Sequence, residues 1–199
     1  MQWEILPGFL AAAFALAGSP GPNTLSLAAV GAAFGARRGL SYLTGLTFGM
    51  LIVIALVGTG IAGLLLAVPG AAPVITGLAA AYFIYLAWRI ATAPPLSNSE
   101  SEAKPPSWVA AVFVSLANPK AYAAMAAMFS GFVLVGGSAL GDGLAKAAVL
   151  FGVIITVNII WLSASSALTP WFRSPKSSRI INVCFAVALL VSVAAAVFI

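Results

Sequence analysis

Long runs of uncharged residues dominate the hydrophobic pattern of the chain and predict how often it crosses a membrane. Glu4 and Arg37 are separated by 32 uncharged residues, and Arg38 and Arg89 by 50. A membrane-spanning helix needs about 20 apolar residues, whereas one helix of 50 residues would be about 75 Å long against a hydrocarbon core of about 30 Å. The second run therefore has to turn, and the sequence Val-Pro-Gly-Ala-Ala-Pro at residues 68–73 is the turn signal.

The same pattern predicts an all-α membrane protein with six transmembrane helices in two three-helix repeats. The predicted spans cover residues 5–36, 40–67, 72–91, 108–134, 146–169 and 180–199. Residues 93–107 are rich in proline and serine, so we expect a cytoplasmic linker between a first repeat, 1–92, and a second repeat, 108–199, of one transmembrane domain. Because each repeat contains an odd number of spans, the two repeats have inverted topology.

Proline interrupts spans 1 and 4, which occupy corresponding places in the two repeats. Residues 19–23, Ser-Pro-Gly-Pro-Asn, divide span 1 into halves of 14 residues each, and residues 118–120, Asn-Pro-Lys, lie inside span 4. We interpret Asn118 as the N-cap of a new half-helix, and Ser19-Pro20 offers the same pairing of cap and proline. The alternative is that the prolines merely kink two helices, which membrane helices tolerate.

Paired interruptions in matching spans of inverted repeats are typical of the substrate site of a transporter. The start of each half-helix carries about half a positive charge and favours anions. The candidate substrate-binding residues are therefore Ser19, Pro20, Gly21, Pro22, Asn23, Asn118, Pro119 and Lys120.

Lys120 is a functional candidate in its own right because an ammonium inside a span costs roughly 2.5–3.5 kcal/mol on insertion scales. The alternative is that its side chain reaches back to the inner interface. Lys120 follows Trp108 by 12 residues, which is roughly 18 Å along a helix and deep for such a side chain. The depth favours a role in the site.

Composition and charge narrow the class of protein. The chain is 62% hydrophobic and 7% charged, with a mean hydropathy of +1.12, so it has too few polar side chains to be a soluble globular domain. It has no histidine and one cysteine, and we expect no metal or cofactor. The net charge of +5 comes from scattered single residues rather than a basic patch, so we expect no nucleic-acid partner.

The basic residues predict the orientation of the chain in the membrane. With six spans and both termini outside, seven of the nine basic residues lie on the inner side, as the positive-inside rule requires. These residues are Arg37, Arg38, Arg89, Lys104, Arg173, Lys176 and Arg179. Lys146 is expected on the outer side. The acidic residues lie in loops or at span ends, so a cationic substrate side chain would meet no opposite charge.

The chain resembles the LysE/RhtB family of amino-acid exporters. The resemblance rests on residues 19–23 followed by 35–40, Gly-Ala-Arg-Arg-Gly-Leu, on 81–86, Ala-Tyr-Phe-Ile-Tyr-Leu, and on 116–121, Leu-Ala-Asn-Pro-Lys-Ala. It implies export of amino acids or related metabolites across the bacterial inner membrane. The lysine and arginine exporters of the family tend to have Gly-Pro-Gln-Asn in the first element, so this chain is more similar to the neutral amino-acid branch.

The resulting hypothesis is a secondary-active efflux transporter that works by alternating access. A zwitterionic amino acid would bind near the midplane, with its carboxylate at the two half-helix starts and beside Lys120. Its ammonium would meet the carbonyls of Leu16, Gly18 and Ser115, which the prolines are expected to free. An intramembrane enzyme and a passive channel are the alternatives, and Gly45 and Gly49 form a GxxxG pattern that permits a homodimer.

Overall fold

The computed structural model describes residues 1–92, 105–167 and 174–198, and within these ranges every regular element is a helix. The helices are α1 (Leu6–Gly18), α2 (Pro22–Gly58), α3 (Ile61–Leu66), α4 (Ala71–Ala91), α5 (Trp108–Leu116), α6 (Pro119–Gly131), α7 (Ala139–Ser166) and α8 (Pro175–Phe198). Most of the predicted linker, residues 93–104, lies outside the described residues. The predicted all-α class is confirmed.

Four of these helices, α2, α4, α7 and α8, are long and apolar enough to cross a membrane. The helices α5 and α6 meet at a bend of 59° and count as a fifth span if they are taken together, while α1 is a shorter apolar helix. Large apolar side chains cover the outside of the bundle, and Leu64 and Leu140 are 72% and 74% exposed. An apolar outer surface fits a lipid environment.

The helix α2 reverses direction at Gly35, where φ is 78° and ψ is 164°. A Cβ atom at Gly31 would lie 3.1 Å from Leu162 Cδ1, and one at Gly39 would lie 2.6 Å from the same atom. Two Cβ atoms that approach the same atom lie close to each other, whereas in a straight helix these two positions would be about 12 Å apart. Therefore α2 consists of two helical arms that pack side by side, a first arm of residues 22–34 and a second arm of residues 36–58.

The second arm of α2 packs against α5 through the GxxxG pattern. A Cβ atom at Gly45 would lie 2.8 Å from Ala111 Cβ, and one at Gly49 would lie 2.7 Å from Ser115 Cβ. Small residues let helix backbones approach this closely. The pattern is thus used inside the chain, and it does not offer the dimer contact that the sequence permitted.

A buried ion pair at the start of α7 forms hydrogen bonds to the end of α6 and to the segment that follows it. Lys146 is 3% exposed, its ammonium lies 2.6 Å from the carboxylate of Asp142, and it donates to the carbonyl of Phe129 at 2.8 Å. The carboxylate of Asp142 also accepts from the backbone N–H groups of Leu134 and Val135. The sequence placed Lys146 only on the outer side, and the structure buries it because these partners satisfy its charge.

Candidate functional site

The two interrupted regions lie against each other in the middle of the bundle. The side-chain amide of Asn118 donates to Asn23 Oδ1 at 3.0 Å, and the amide of Asn23 donates to Ser115 Oγ at 3.0 Å. The hydroxyl of Ser115 in turn donates to the carbonyl of Leu46 at 2.9 Å. The predicted interruptions are therefore real, and the structure brings their asparagines into direct contact.

Lys120 joins the start of α6 to the end of α1. Its ammonium donates to Ser19 O at 2.8 Å, to Ser19 Oγ at 2.7 Å and to Pro20 O at 3.0 Å. An ammonium has three donors, so all of them are used. The end of a helix carries partial negative charge, which stabilises a cation there. These contacts hold the side chain at the break between α1 and α2.

The half-helix of span 1 begins two residues later than the pairing of Ser19 with Pro20 predicts. Gly21 is the N-cap of α2 and Pro22 its first residue, and the N–H of Gly21 donates to Thr24 Oγ1 at 2.9 Å. Ser19 instead ends α1, where its hydroxyl donates to the carbonyl of Leu16 at 3.0 Å. The pairing of Ser19 with Pro20 as cap and first residue was therefore wrong, because Ser19 ends α1 and Gly21 is the N-cap of α2.

At α6 the predicted positions are correct, but the side chain of the cap has another partner. Asn118 is the N-cap and Pro119 is the first residue. The backbone carbonyl of Asn118 accepts from the N–H of Ala121 at 3.0 Å, while its side chain bonds to Asn23 rather than to its own helix. The side-chain amide therefore joins the two interrupted regions instead of capping α6.

The carbonyls that were expected to be free already accept hydrogen bonds from the protein. Leu16 O accepts from the hydroxyl of Ser19, and Gly18 O accepts from the indole N–H of Trp161 at 3.2 Å. Ser115 O accepts from the backbone N–H of Asn118 at 3.3 Å. That expectation was wrong because nearby side chains and one turn of backbone replace the bonds that proline removes.

One buried hydrogen-bond acceptor at the site has no donor among the described residues. Asn118 is 4% exposed, and its side-chain Oδ1 has no hydrogen-bond partner among the described residues. A buried polar atom without a partner is unusual in a folded protein, because leaving it unsatisfied costs free energy. Asn118 lines a cavity between the two interrupted regions, so a bound molecule is a natural source of the missing donor.

The cavity has a volume of about 50 Å³ and a lining of mixed polarity. Its polar lining consists of Ser19, Gly21, Asn23, Thr24, Asn118, Lys120 and Asn158, and its apolar lining consists of Leu16, Ala17, Met50, Ala121, Ala124, Met125, Ile154 and Val157. Five of the eight predicted site residues are in this lining. The three prolines, Pro20, Pro22 and Pro119, are outside it and shape the backbone instead.

Asn158 takes part both in helix packing and in the cavity. Its amide donates to the hydroxyl of Thr47 at 3.1 Å, and it also lines the cavity. Thr24 directly follows the interruption at residues 19–23, and this position is the signal that points to it. Met50 and Met125 also line the cavity, but nothing in the sequence distinguishes them from other apolar residues of their helices.

The charge and backbone at the cavity favour a ligand with a carboxylate and a donor group. Lys120 is the one ionisable side chain among the described residues that line it. The backbone N–H groups of Asn23 and Thr24, in the first turn of α2, have no partner inside the helix. Within the described part of the chain, no group of three His, Cys, Asp or Glu residues is placed to hold a metal ion.

Known proteins resemble the chain over nearly its whole length. Residues 14–199 match the family model described as LysE type translocator. The cysteine/O-acetylserine efflux protein of Escherichia coli strain K12 is 30% identical over 191 residues, which are 96% of each chain. The homoserine/homoserine lactone efflux protein of Salmonella typhimurium is 26% identical over 189 residues, which are 93% of this chain and 92% of that protein.

No solved structure matches the chain. The relatives are efflux proteins and not enzymes, so they do not support the alternative of an intramembrane enzyme. The interrupted helices predicted from residues 19–23 and 118–120 are present, and the family match includes both. The chain belongs to the LysE type translocator family.

Proposed function

We propose that this protein is a secondary-active exporter of small zwitterionic amino acids in the bacterial inner membrane. The observation that carries the proposal is the cavity between the two interrupted helices, where Asn23 and Asn118 meet at 3.0 Å. Efflux of amino acids and their derivatives by the relatives supports the substrate class.

The substrate carboxylate would bind at the start of α2 and beside Lys120. The N–H groups of Asn23 and Thr24 lack intrahelical acceptors, and the helix start adds partial positive charge. The ammonium of Lys120 lies next to the same turn, because a Cβ atom at Gly21 would be 3.1 Å from its Nζ. A carboxylate held there would gain charge-assisted hydrogen bonds from the backbone N–H groups and electrostatic attraction from the nearby ammonium of Lys120.

The substrate ammonium would bind at Asn118. Asn118 Oδ1 is the open acceptor there, and an ammonium would supply the donor that it lacks. No carboxylate lines the cavity among the described residues. A substrate with a cationic side chain would therefore bring a second positive charge into the site without a partner, which favours neutral side chains.

The size of the cavity also favours a small substrate. A water molecule needs roughly 10–15 Å³ on the scale on which this cavity measures 50 Å³. The cavity therefore holds about three to five waters, or roughly 100–150 Å³ of liquid. That is the range of an amino acid with a short side chain, and the apolar wall formed by Met50, Met125 and Ile154 would contact it.

The proposed membrane topology has six spans in two inverted repeats, 1–92 and 108–199. In this arrangement α1 and the first arm of α2 form span 1, and the second arm forms span 2. The helix α4 forms span 3, the bent pair α5 and α6 form span 4, and α7 and α8 form the last two. Both termini would face the periplasm, which keeps the basic residues inside.

Polar contacts around the cavity cross from one proposed repeat to the other. Asn118 bonds Asn23, Lys120 bonds Ser19, and Asn158 bonds Thr47. Rocking of one repeat against the other would break and remake these bonds, and alternating access needs such a separable interface. These hydrogen bonds would stabilise one arrangement of the two repeats, and bonds to a substrate would replace them when the repeats move.

Counterflow in proteoliposomes tests this function. Vesicles with purified protein are loaded with unlabelled amino acid, and entry of a labelled trace of L-serine or L-homoserine is followed. A carrier concentrates the label transiently, a channel only equilibrates it, and an enzyme does neither. Labelled L-lysine is expected to give no counterflow, and absence of counterflow with every neutral amino acid tested would overturn the proposal.

The matched variants are Asn118→Ala and Thr156→Ala. Asn118→Ala removes both the bond to Asn23 and the open acceptor, so counterflow should fall at least tenfold. The hydroxyl of Thr156 is exposed and donates to Gly152 O in its own helix, so its loss should leave counterflow unchanged. Both variants should elute from size exclusion as the wild-type protein does. Equal counterflow in both variants would refute the site assignment.

A further inference from the structure

The helix α6 forms one wall of the cavity, and this wall changes from polar to apolar along the helix. Lys120, Ala121, Ala124 and Met125 are its lining residues. Met125 follows Lys120 by five residues, which is about 7.5 Å along a helix axis. Ala121, Ala124 and Met125 share one face of α6, because residues three and four positions apart are neighbours on a helix surface. The cavity therefore has a polar end at Lys120 and an apolar end at Met125.

Met125 is the residue at which the cavity ends along this face. Met128 lies on the same face one turn later, and it is buried but is not in the cavity lining. A long side chain on a helix points toward the N-terminus and covers the turn before its own Cα atom. Met125 therefore covers the space beside Ala121, where the small side chains of the alanines leave room for the cavity.

The core behind Met125 restricts its movement. Met125 is buried and belongs to one hydrophobic cluster with Met50, Met128 and Leu134, so that every methionine after Met1 lies in this cluster. The unbranched side chain of methionine fills irregular gaps in a core. Protein cores are packed as densely as organic crystals. Moving Met125 away from the cavity therefore requires its neighbours to move as well.

We propose that Met125 sets the longest substrate side chain that the transporter accepts, because its thioether closes the apolar end of the cavity. This inference rests on the function proposed above and names a specificity-determining residue in the same site. The substrate carboxylate at the start of α2 and the substrate ammonium at Asn118 hold the α-carbon at the polar end. The substrate side chain then extends along Ala121 and Ala124 toward Met125.

A closed apolar end predicts a sharp limit on side-chain length. A substrate with one methylene too many fits only if Met125 and the cluster behind it move, and extra methylenes in a well-packed core force such shifts. One methylene more or less in an apolar pocket changes binding by roughly 10–200-fold. Affinity should therefore fall steeply at one side-chain length instead of declining gradually.

A series of unbranched amino acids measures this limit. L-alanine, L-2-aminobutyrate, L-norvaline, L-norleucine and L-2-aminooctanoate differ in side-chain length but not in charge or branching. Each of them is used to inhibit counterflow of labelled L-serine into proteoliposomes with wild-type protein. The inhibition constant should rise roughly tenfold or more at the first amino acid that exceeds the limit, and L-2-aminooctanoate should not inhibit. Strong inhibition by the whole series would overturn the proposal, and this measurement needs no variant.

Met125→Ala should extend the limit toward longer side chains. It removes Cγ, Sδ and Cε from the end of the cavity, so L-2-aminooctanoate should inhibit roughly tenfold or more strongly than it does in the wild type. Met125→Val removes less of the core and should extend the limit by a smaller step, which provides a second variant in case Met125→Ala does not fold. Met125→Leu conserves volume and should keep the wild-type limit.

Met128→Ala is the matched control, because it makes the same change on the same helix face and in the same cluster but outside the lining. Both alanine variants leave a void in the core and should lower Tm, whereas only Met125→Ala should change which amino acids inhibit. An equal extension of the limit in Met128→Ala, or equal weakening of all inhibitors by Met125→Ala, would refute the assignment. Absence of counterflow in the wild-type protein would instead contradict the proposed function, so the two failures are distinguishable.

Discussion

Gly49→Ala is the perturbation that most directly connects helix packing to the proposed site. The added Cβ would lie 2.7 Å from Ser115 Cβ, 3.1 Å from Ser115 Oγ and 2.9 Å from the carbonyl of Val112. The last of these atoms belongs to the backbone of α5 and cannot rotate away. The two helices therefore have to separate, and the residue pushed first is the one whose hydroxyl bonds Asn23 and Leu46.

The magnitude follows from these distances. Ordinary van der Waals contact begins at 3.4–4 Å, so Ser115 has to move by about 0.7–1.3 Å relative to Gly49. Overpacking of this kind typically costs about 1–3 kcal/mol. A chain of this length loses about 2–4 °C in Tm for each kcal/mol, so Gly49→Ala should lower Tm by roughly 2–12 °C. The same displacement breaks or lengthens both hydrogen bonds of Ser115.

Thermal unfolding in detergent and counterflow in proteoliposomes are measured for three variants. Gly152→Ala is the control, because nothing lies within 4 Å of an added Cβ there, and it should behave as the wild type. Ser115→Ala removes the two hydrogen bonds without overpacking, at about 0.6 kcal/mol for each interhelical bond, so its loss of Tm should be smaller. Both Gly49→Ala and Ser115→Ala should slow counterflow. Wild-type Tm for Gly49→Ala would refute the close approach of α2 and α5.

Three further outcomes are expected. Gly35→Ala should destabilise the protein by about 1–3 kcal/mol, because its φ of 78° and ψ of 164° are almost restricted to glycine, and a Tm equal to that of Gly152→Ala would contradict the reversal of α2. Asp142→Asn leaves Lys146 buried without its ion-pair partner and should destabilise the protein by about 3–5 kcal/mol, which lowers Tm. The double variant with Asp142→Asn and Lys146→Met should recover part of the lost Tm. Asn158→Leu fills part of the cavity and removes the bond to α2, so counterflow should fall more for larger amino acids than for glycine; equal losses for all substrates would place Asn158 outside the binding site.

The sequence by itself determined the class of protein, through its apolar runs, and the places where its helices break, through its prolines. Proline lacks an N–H wherever it stands, so the interruptions at residues 19–23 and 118–120 follow from local chemistry and are present in the structure. Apolar runs likewise have few alternatives to helix in a membrane. The resemblance in these segments also led to the correct family, because their residues and spacing are specific together.

Only the tertiary structure decided which partner each polar group of the site takes. The side chain of Asn118 had an equally reasonable local use as a helix cap, and it bonds Asn23 because packing places that residue 3.0 Å away. The sequence placed Lys146 at the outer start of span 5 and gave no sign that Asp142 and Phe129 bind its ammonium. Hydrogen bonds between residues some hundred positions apart depend on how helices pack, and the helical period of a sequence carries no information about that distance.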